Sequence, residues 1–368
     1  MRAERRHCRL HDNERLSSDK KDNKNLKGFK DKTTIIDGLL NYALYLILGI
    51  MIIGVIIINP KFVSVKNFTN ILSQASTRAI LAMGVAGLIV LQGTDLSAGR
   101  ILGLAGIVSA SLLQDIDYAA RMYPDLPELP LIVPLLVAIS IGVIFALING
   151  FGVAKLKLHA FIITLGTQLI AYGVALIYID RPPLGAQPIA GLDDRYVSLI
   201  KGVFEIGKGK DAIQIPYLIF YAAIIAIIMG FIWNKTKLGK NMFAIGGNPE
   251  AAAVSGVNIV KNIMFVYLIS GILYGIAGFL EVARIGSATS ITGQNYELDA
   301  IAACVVGGVS FSGGVGTIPG VLIGVVILQF INYGLNFIGV NPYFQIIIKG
   351  LIIIVAVSID VRKYIVKK

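Results

Sequence analysis

Thr94, Asp95 and Ser97 stand in a short polar break, GTDLSAG at 93–99, between two charge-free apolar stretches at 79–94 and 101–114. The first N–H groups of a helix lack partners, and Asp, Ser and Thr side chains accept from them. An unmet N–H in lipid is costly, so a cap matters more there. One reading is that Asp95 caps the following helix and pairs with Arg100. The other is that the break lines a solute path, because short or interrupted apolar segments point to transport sites. The two readings are compatible.

Uncharged polar side chains recur in the apolar stretches: Gln74, Gln92, Asn149, Thr164, Thr167, Gln168, Gln329, Asn332 and Asn336. Such groups suit a neutral, hydroxyl-rich solute better than an ion, although interhelical hydrogen bonding also uses them. Lys349 lies well inside the last apolar stretch, where a charged side chain is costly enough to imply a function or a snorkelling route to the interface. Glu281 and Arg284 are three residues apart and can pair on a helix. The carboxylates counted within the apolar stretches are Asp95, Glu281 and Asp299.

A second pattern is NPEAAAVSG at 248–256. Asn248 suits an N-cap, Pro249 the first helical position, and Glu250 the positive helix end. Ala251 and Ala252 favour helix, Ser255 follows, and Gly256 supplies a stop. The expected element is a short helix of about two turns, either a plain surface helix or one that takes a push from a partner. No phosphate loop, HExxH, paired histidines or nucleophile elbow occurs, so ATP hydrolysis by this chain alone is not expected. His7, Cys8 and His11 are close together in a polar tail, which reads as flexible chain rather than as a metal site.

These residues sit in a chain that is 55% hydrophobic and 15% charged, against about 25% charged in soluble domains. Charge-free runs at 38–60, 129–154, 212–234, 262–280 and 300–348 reach or exceed the roughly 20 residues a membrane helix needs. The expectation is an all-α, polytopic transmembrane bundle of about ten spans: 39–58, 71–91, 96–113, 131–152, 159–179, 214–233, 262–282, 299–315, 318–337 and 343–359. Forty glycines and stripes such as Gly316–Gly320–Gly324, Gly99–Gly103 and Gly271–Gly275 fit close helix packing in lipid. The net charge of +11 reads as cytoplasmic Lys and Arg rather than as a nucleic-acid surface.

Residues 1–37 are polar and expected to be a disordered cytoplasmic tail, 38–360 the membrane domain, and 361–368 a basic cytoplasmic tail. An even span count puts both termini inside, together with Lys155 and Lys157 and the basic loop 234–262. The loop 180–213 then falls outside. Its five Lys and Arg count against that topology, while Pro182, Pro183 and Pro188 argue for a structured loop.

GTDLSAGRILGLAG (93–106), FIITLGT (161–167), AIGGNPEAAAVSGVN (244–258) and YELDAIAACVVGGVSFSGGVGTIPG (296–320) resemble the permease subunits of bacterial ABC sugar importers of the ribose/galactose type. The resemblance spans roughly 39–366. GTDLSAGR with ELDAIAA and GGVSFSGGVGT points to the galactoside branch, and the ribose and xylose siblings share much of the pattern. Where that family often has Pro before FI[IAT]TLGT, this chain has His159-Ala160. The resemblance implies a channel of two permease subunits in the bacterial inner membrane, most simply a homodimer. It also implies a cytoplasmic ABC ATPase that binds ATP and Mg, an extracytoplasmic sugar-binding protein, and no cofactor in this chain. Residues 248–256 match the segment that docks on the ATPase. An ion-coupled secondary transporter and a membrane-embedded enzyme are the alternative classes.

Overall fold

Among the described residues six helices are long and apolar enough to cross a membrane, and the chain is a polytopic helical membrane protein. The computed structural model describes residues 48–180, 185–206 and 213–365. The chain divides into two units, Met1–Gly49 and Ile50–Lys368, and the account below concerns the second. The tail, with His7, Cys8 and His11, and Pro182 and Pro183 lie outside the described residues.

The elements are α1 (Leu48–Ile58), a 3-10 turn (Pro60–Phe62), α2 (Val65–Val90), α3 (Ala98–Leu112), α4 (Ile132–Ala154), α5 (Ala160–Ile179), α6 (Asp194–Lys201), β1 (Val203–Ile206), β2 (Ile213–Pro216), α7 (Tyr217–Lys235), α8 (Lys237–Gly247), α9 (Pro249–Val254), α10 (Ile259–Ile285), α11 (Tyr296–Val306), α12 (Ile318–Phe337) and α13 (Pro342–Ile365). The six long apolar helices are α2, α4, α5, α7, α10 and α12.

Two elements depart from full spans. α3 has 15 residues, about 22 Å of helix, and α11 has 11, about 16 Å, both short of the ~30 Å hydrocarbon core. The span expected over 299–315 is therefore half a span. α11 ends at Val306, and Gly308, Gly313 and Gly314 take positive φ in the turn that leads to α12. Glycine adopts this left-handed geometry without steric cost.

α10 runs through the middle, against α2, α3 and α4. The apolar window of α2 is 83% buried, against 28% for α4, α5 and α7, so α2 is core and those three are peripheral. The glycine stripes do what lipid packing asks of them. A methyl on Gly271 or Gly275 would collide with the α4 backbone at Gly142 or Ala138. Gly320 and Gly324 lie as close to Gly307 and Ala303.

The segment expected as loop 180–213 holds structure, and the fold is not purely helical. α6 is amphipathic, with Tyr196 and Ile200 buried, and the Tyr196 hydroxyl donates to the carbonyl of Phe279. Asp193 caps α6 by accepting from Arg195 N at 2.7 Å. β1 and β2 form an antiparallel hairpin pairing Phe204 with Ile215, so the expected helix at 214–233 begins only at Tyr217.

Candidate functional site

The break between α2 and α3 is held by a buried polar chain. Asp95 Oδ1 accepts from Ser97 N at 2.9 Å and from Ser97 Oγ at 2.5 Å, while Tyr274 on α10 donates to Asp95 Oδ2 at 3.1 Å. Asn149 Nδ2 donates to Ser97 Oγ at 2.9 Å, and Thr167 Oγ1 donates to Asn149 Oδ1 at 2.7 Å. Leu96 N is met by Thr164 Oγ1 at 3.2 Å. Asp95, Ser97, Asn149, Thr164 and Thr167 are all buried. With Tyr274 they cross-link α3, α4, α5 and α10, and each of these side chains is hydrogen-bonded, which is the condition under which such a network rigidifies a core.

Asp95 does not pair with Arg100; its oxygens meet Ser97 and Tyr274. Arg100 points the other way, with its guanidinium 4.0 Å from the centre of the Tyr172 ring and a bond to Ser290 O at 3.2 Å. Thr94 is half-buried.

A second cluster ties α2, α10, α11 and α13 by charge. Lys349 Nζ lies 3.0 Å from Asp299 Oδ1, and Arg78 Nη1 lies 2.9 Å from Asp299 Oδ2. Arg284 pairs with Glu281 at 2.8 Å, as the i,i+3 spacing requires. Glu281 also accepts from Thr77 at 2.6 Å and from Tyr296 at 2.7 Å. The Arg78 guanidinium lies 3.2 Å over the Tyr296 ring. A fully buried carboxylate is tolerable only with such partners, and Glu281 is 0% exposed. The side chain of Lys349 is 34% exposed, so it is a paired cation at the edge of the bundle.

Sequence reasoning missed Glu297, a fourth carboxylate among the apolar stretches. It sits in the first turn of α11, 3% exposed, against Gly99, where a methyl would collide with its Oε2. Gln168 Nε2 reaches its Oε1 at 3.4 Å, and among the described residues Oε2 has no hydrogen-bond partner. The ELD triplet at 297–299 carries the signal, since its two acids stand at the head of the apolar run 300–348. Gln168 of α5 and Lys349 of α13 thus converge on one turn of α11, at Glu297 and Asp299.

Gln92 occupies the left-handed region at φ 63. Its Nε2 donates to Gly246 O at 2.7 Å and to Ser312 O at 3.1 Å, and Gly314 N donates to Val90 O at 2.9 Å. The break, the end of α8 and the turn after α11 are therefore joined at one point. Two residues on, Asn248 caps α9 by accepting from Ala251 N at 3.0 Å, with Pro249 in the first turn. Gly256 takes φ 84 after the helix. Ala252 faces inward, while Glu250, Ala251 and Ser255 are exposed and Val254 is 90% exposed.

Among the described residues, no group of three or more His, Cys, Asp or Glu side chains could hold a metal. A family model described as branched-chain amino acid transport system / permease component matches residues 67–357. The chain is 50% identical over 338 residues to the galactose/methyl galactoside import permease protein MglC of Haemophilus influenzae, which covers 92% of this chain and 99% of that protein. The protein of the same name from Escherichia coli is also 50% identical over 338 residues, with the same coverage. The ribose import permease protein RbsC of Escherichia coli is 37% identical over 306 residues, 83% of this chain and 89% of that protein. No solved structure matches the chain.

Proposed function

The chain belongs to the transport-system permease family that its residues 67–357 match, and on that premise we propose that it forms the membrane passage of an ABC importer for galactose and methyl galactoside. The observation that carries this reading is half-identity to galactoside permeases along nearly their full length. The ribose permease is 37% identical, which favours galactoside over ribose. The chain is a transport subunit, and ATP with Mg acts on a separate cytoplasmic ATPase. A sugar-binding protein delivers the solute from outside, and a second copy of this chain completes the passage.

In this reading the chain makes ten crossings of the bacterial inner membrane with both termini cytoplasmic: α1, α2, α4, α5, α7, α10, α12 and α13 cross as helices, and the short α3 and α11 complete their crossings with the non-helical segments before them, 91–97 and 286–295. Thr94, Arg100, Gln168 and Lys349 are partly exposed and flank the path, with Glu297 and Asp299 behind them. Asp95, Ser97, Thr164 and Thr167 are buried, and their part is to hold the break rigid beside it. Asn248, Pro249, Glu250, Ala251, Ala252, Ser255 and Gly256 form the docking helix for the ATPase. A push on α9 reaches the break through Gly246 and Gln92, and the sugar crosses without covalent change. That mechanical route is supported by the hydrogen bonds of Gln92 to Gly246 and Ser312.

The test is uptake of labelled galactose into proteoliposomes holding this chain, the ATPase and the binding protein. ATP-dependent accumulation of galactose over ribose is the expected result. Uptake driven by an ion gradient without the ATPase overturns the reading.

A further inference from the structure

Between the start of α8 and the start of α10 lies an open cavity of about 590 Å³, within the roughly 300–1,000 Å³ of small-ligand sites. Lys237 and Lys261 line it together with Asn241, Asn262, Leu238 and Phe265. The two lysines come from different helices and face one space. Among the described residues, neither has a carboxylate within ion-pair distance. The asparagines are spent on the wall: Asn241 donates to Asn262 Oδ1 at 3.1 Å, and Asn262 donates to Asn258 O at 2.7 Å. Two like charges at one cavity repel unless an anion sits between them.

The surroundings of the cavity narrow the choice of anion. It lies where the charge-free run 262–280 of α10 begins, which in the proposed topology, on which this inference rests, is the cytoplasmic membrane boundary. Phe265, 44% exposed, continues the wall one turn further into the apolar stretch. A cationic mouth over an apolar, lipid-level wall suits an anion that carries a hydrocarbon tail. We propose that this cavity binds the headgroup phosphate of an anionic phospholipid between Lys237 and Lys261, with an acyl chain along Phe265. Ser255 and Gly256, just after α9, also line the cavity. An occupied site therefore braces the docking helix, and the bilayer's anionic lipid content sets how firmly that helix is held.

The experiment is native mass spectrometry of the detergent-purified full chain with added phosphatidylglycerol or phosphatidylcholine. The wild type should retain phosphatidylglycerol selectively. K237Q/K261Q should retain it about thirtyfold less, taking about 1 kcal/mol for each base near an anionic lipid. K237R/K261R should retain it normally, and K235Q, outside the cavity, should be unaffected. Equal retention of both lipids, or unchanged retention by the Gln pair, overturns the proposal. Displacement by equimolar inorganic phosphate would mean a soluble-anion site, and stoichiometric displacement by the ATPase would mean a protein contact. Either result also overturns it. If the Gln pair is not monodisperse, amine labelling of Lys237 and Lys261 in the wild type gives the same readout. Slowing by phosphatidylglycerol alone supports the site, and equal labelling in both lipids sinks it.

Discussion

Gln92 Nε2 lies 2.7 Å from the carbonyl oxygen of Gly246, so the break after α2 is tied to the end of α8, two residues before the helix proposed to meet the ATPase. Gln92 pays for this with a left-handed backbone, φ 63, which non-glycine residues seldom adopt and which clusters at functional sites. Q92A removes both donor bonds and keeps the unfavourable φ. The expected outcome in proteoliposomes is ATPase activity within about twofold of wild type, with sugar accumulation down roughly tenfold, the latter equal to about 1.4 kcal/mol of lost coupling. Parallel falls in both activities would show that Gln92 only supports the fold. Q92G should keep more stability than Q92A, because glycine relieves the strain.

Asp299 serves two cations, Arg78 and Lys349, and removing one partner of a partly buried pair leaves a charge less well compensated. D299N strands Lys349 and leaves Arg78 with Glu281 at 4.0 Å and the Tyr296 ring, so it should cost more than K349M, which leaves Asp299 with Arg78. The double variant D299N/K349M should recover part of the loss. A coupling of about 0.5–3 kcal/mol is expected from a thermal-stability cycle on purified protein. Strict additivity of the two changes would remove the pair from the account.

The apolar crossings were legible because lipid demands long charge-free runs, and α4, α5 and α12 fall within a few residues of the expected ranges. α11 was not, because the run 300–348 contains no charge to mark where helix stops. The stop is written only in the positive φ of Gly308, Gly313 and Gly314. The partner of Lys349 was equally hidden, since Asp299 lies 50 residues away on another helix and no local spacing links them. The Glu281–Arg284 pair was readable because it is local. The α9 helix is readable because its cap, proline and glycine are consecutive signals, whereas α8, within the expected loop 234–262, carries a Thr236 cap but three glycines in eleven residues, which weaken its helical pattern.

Close helix approach gives a graded prediction. At Gly275 an added methyl meets the α4 backbone at Ala138, and backbone cannot swing aside as a flexible side chain can. G275V should sharply reduce monodisperse protein in size-exclusion chromatography. G166A, where no atom lies within 4 Å, should elute like wild type and gain slightly in helix propensity. A wild-type profile for G275V would mean that α4 and α10 do not pack through this stripe.

The docking helix makes the last prediction, and two of its features pull apart. Asn248 caps α9, and losing such a cap costs about 0.5–2 kcal/mol, so N248A should loosen the helix without altering its outer face. Val254 is the reverse case: it is 90% exposed, and in the docking reading it is an apolar contact with the ATPase. V254D should therefore leave membrane insertion and melting temperature unchanged while reducing co-purification of the ATPase at least about tenfold, by charging a surface that must be desolvated on binding. Replacing Glu250 and Gly256 together should uncouple or release the ATPase in the same way. N248A should lower the ATPase yield less and be rescued by N248S or N248D, which restore a capping oxygen. If V254D binds the ATPase as wild type does, α9 is a surface helix and the push that moves the break enters elsewhere.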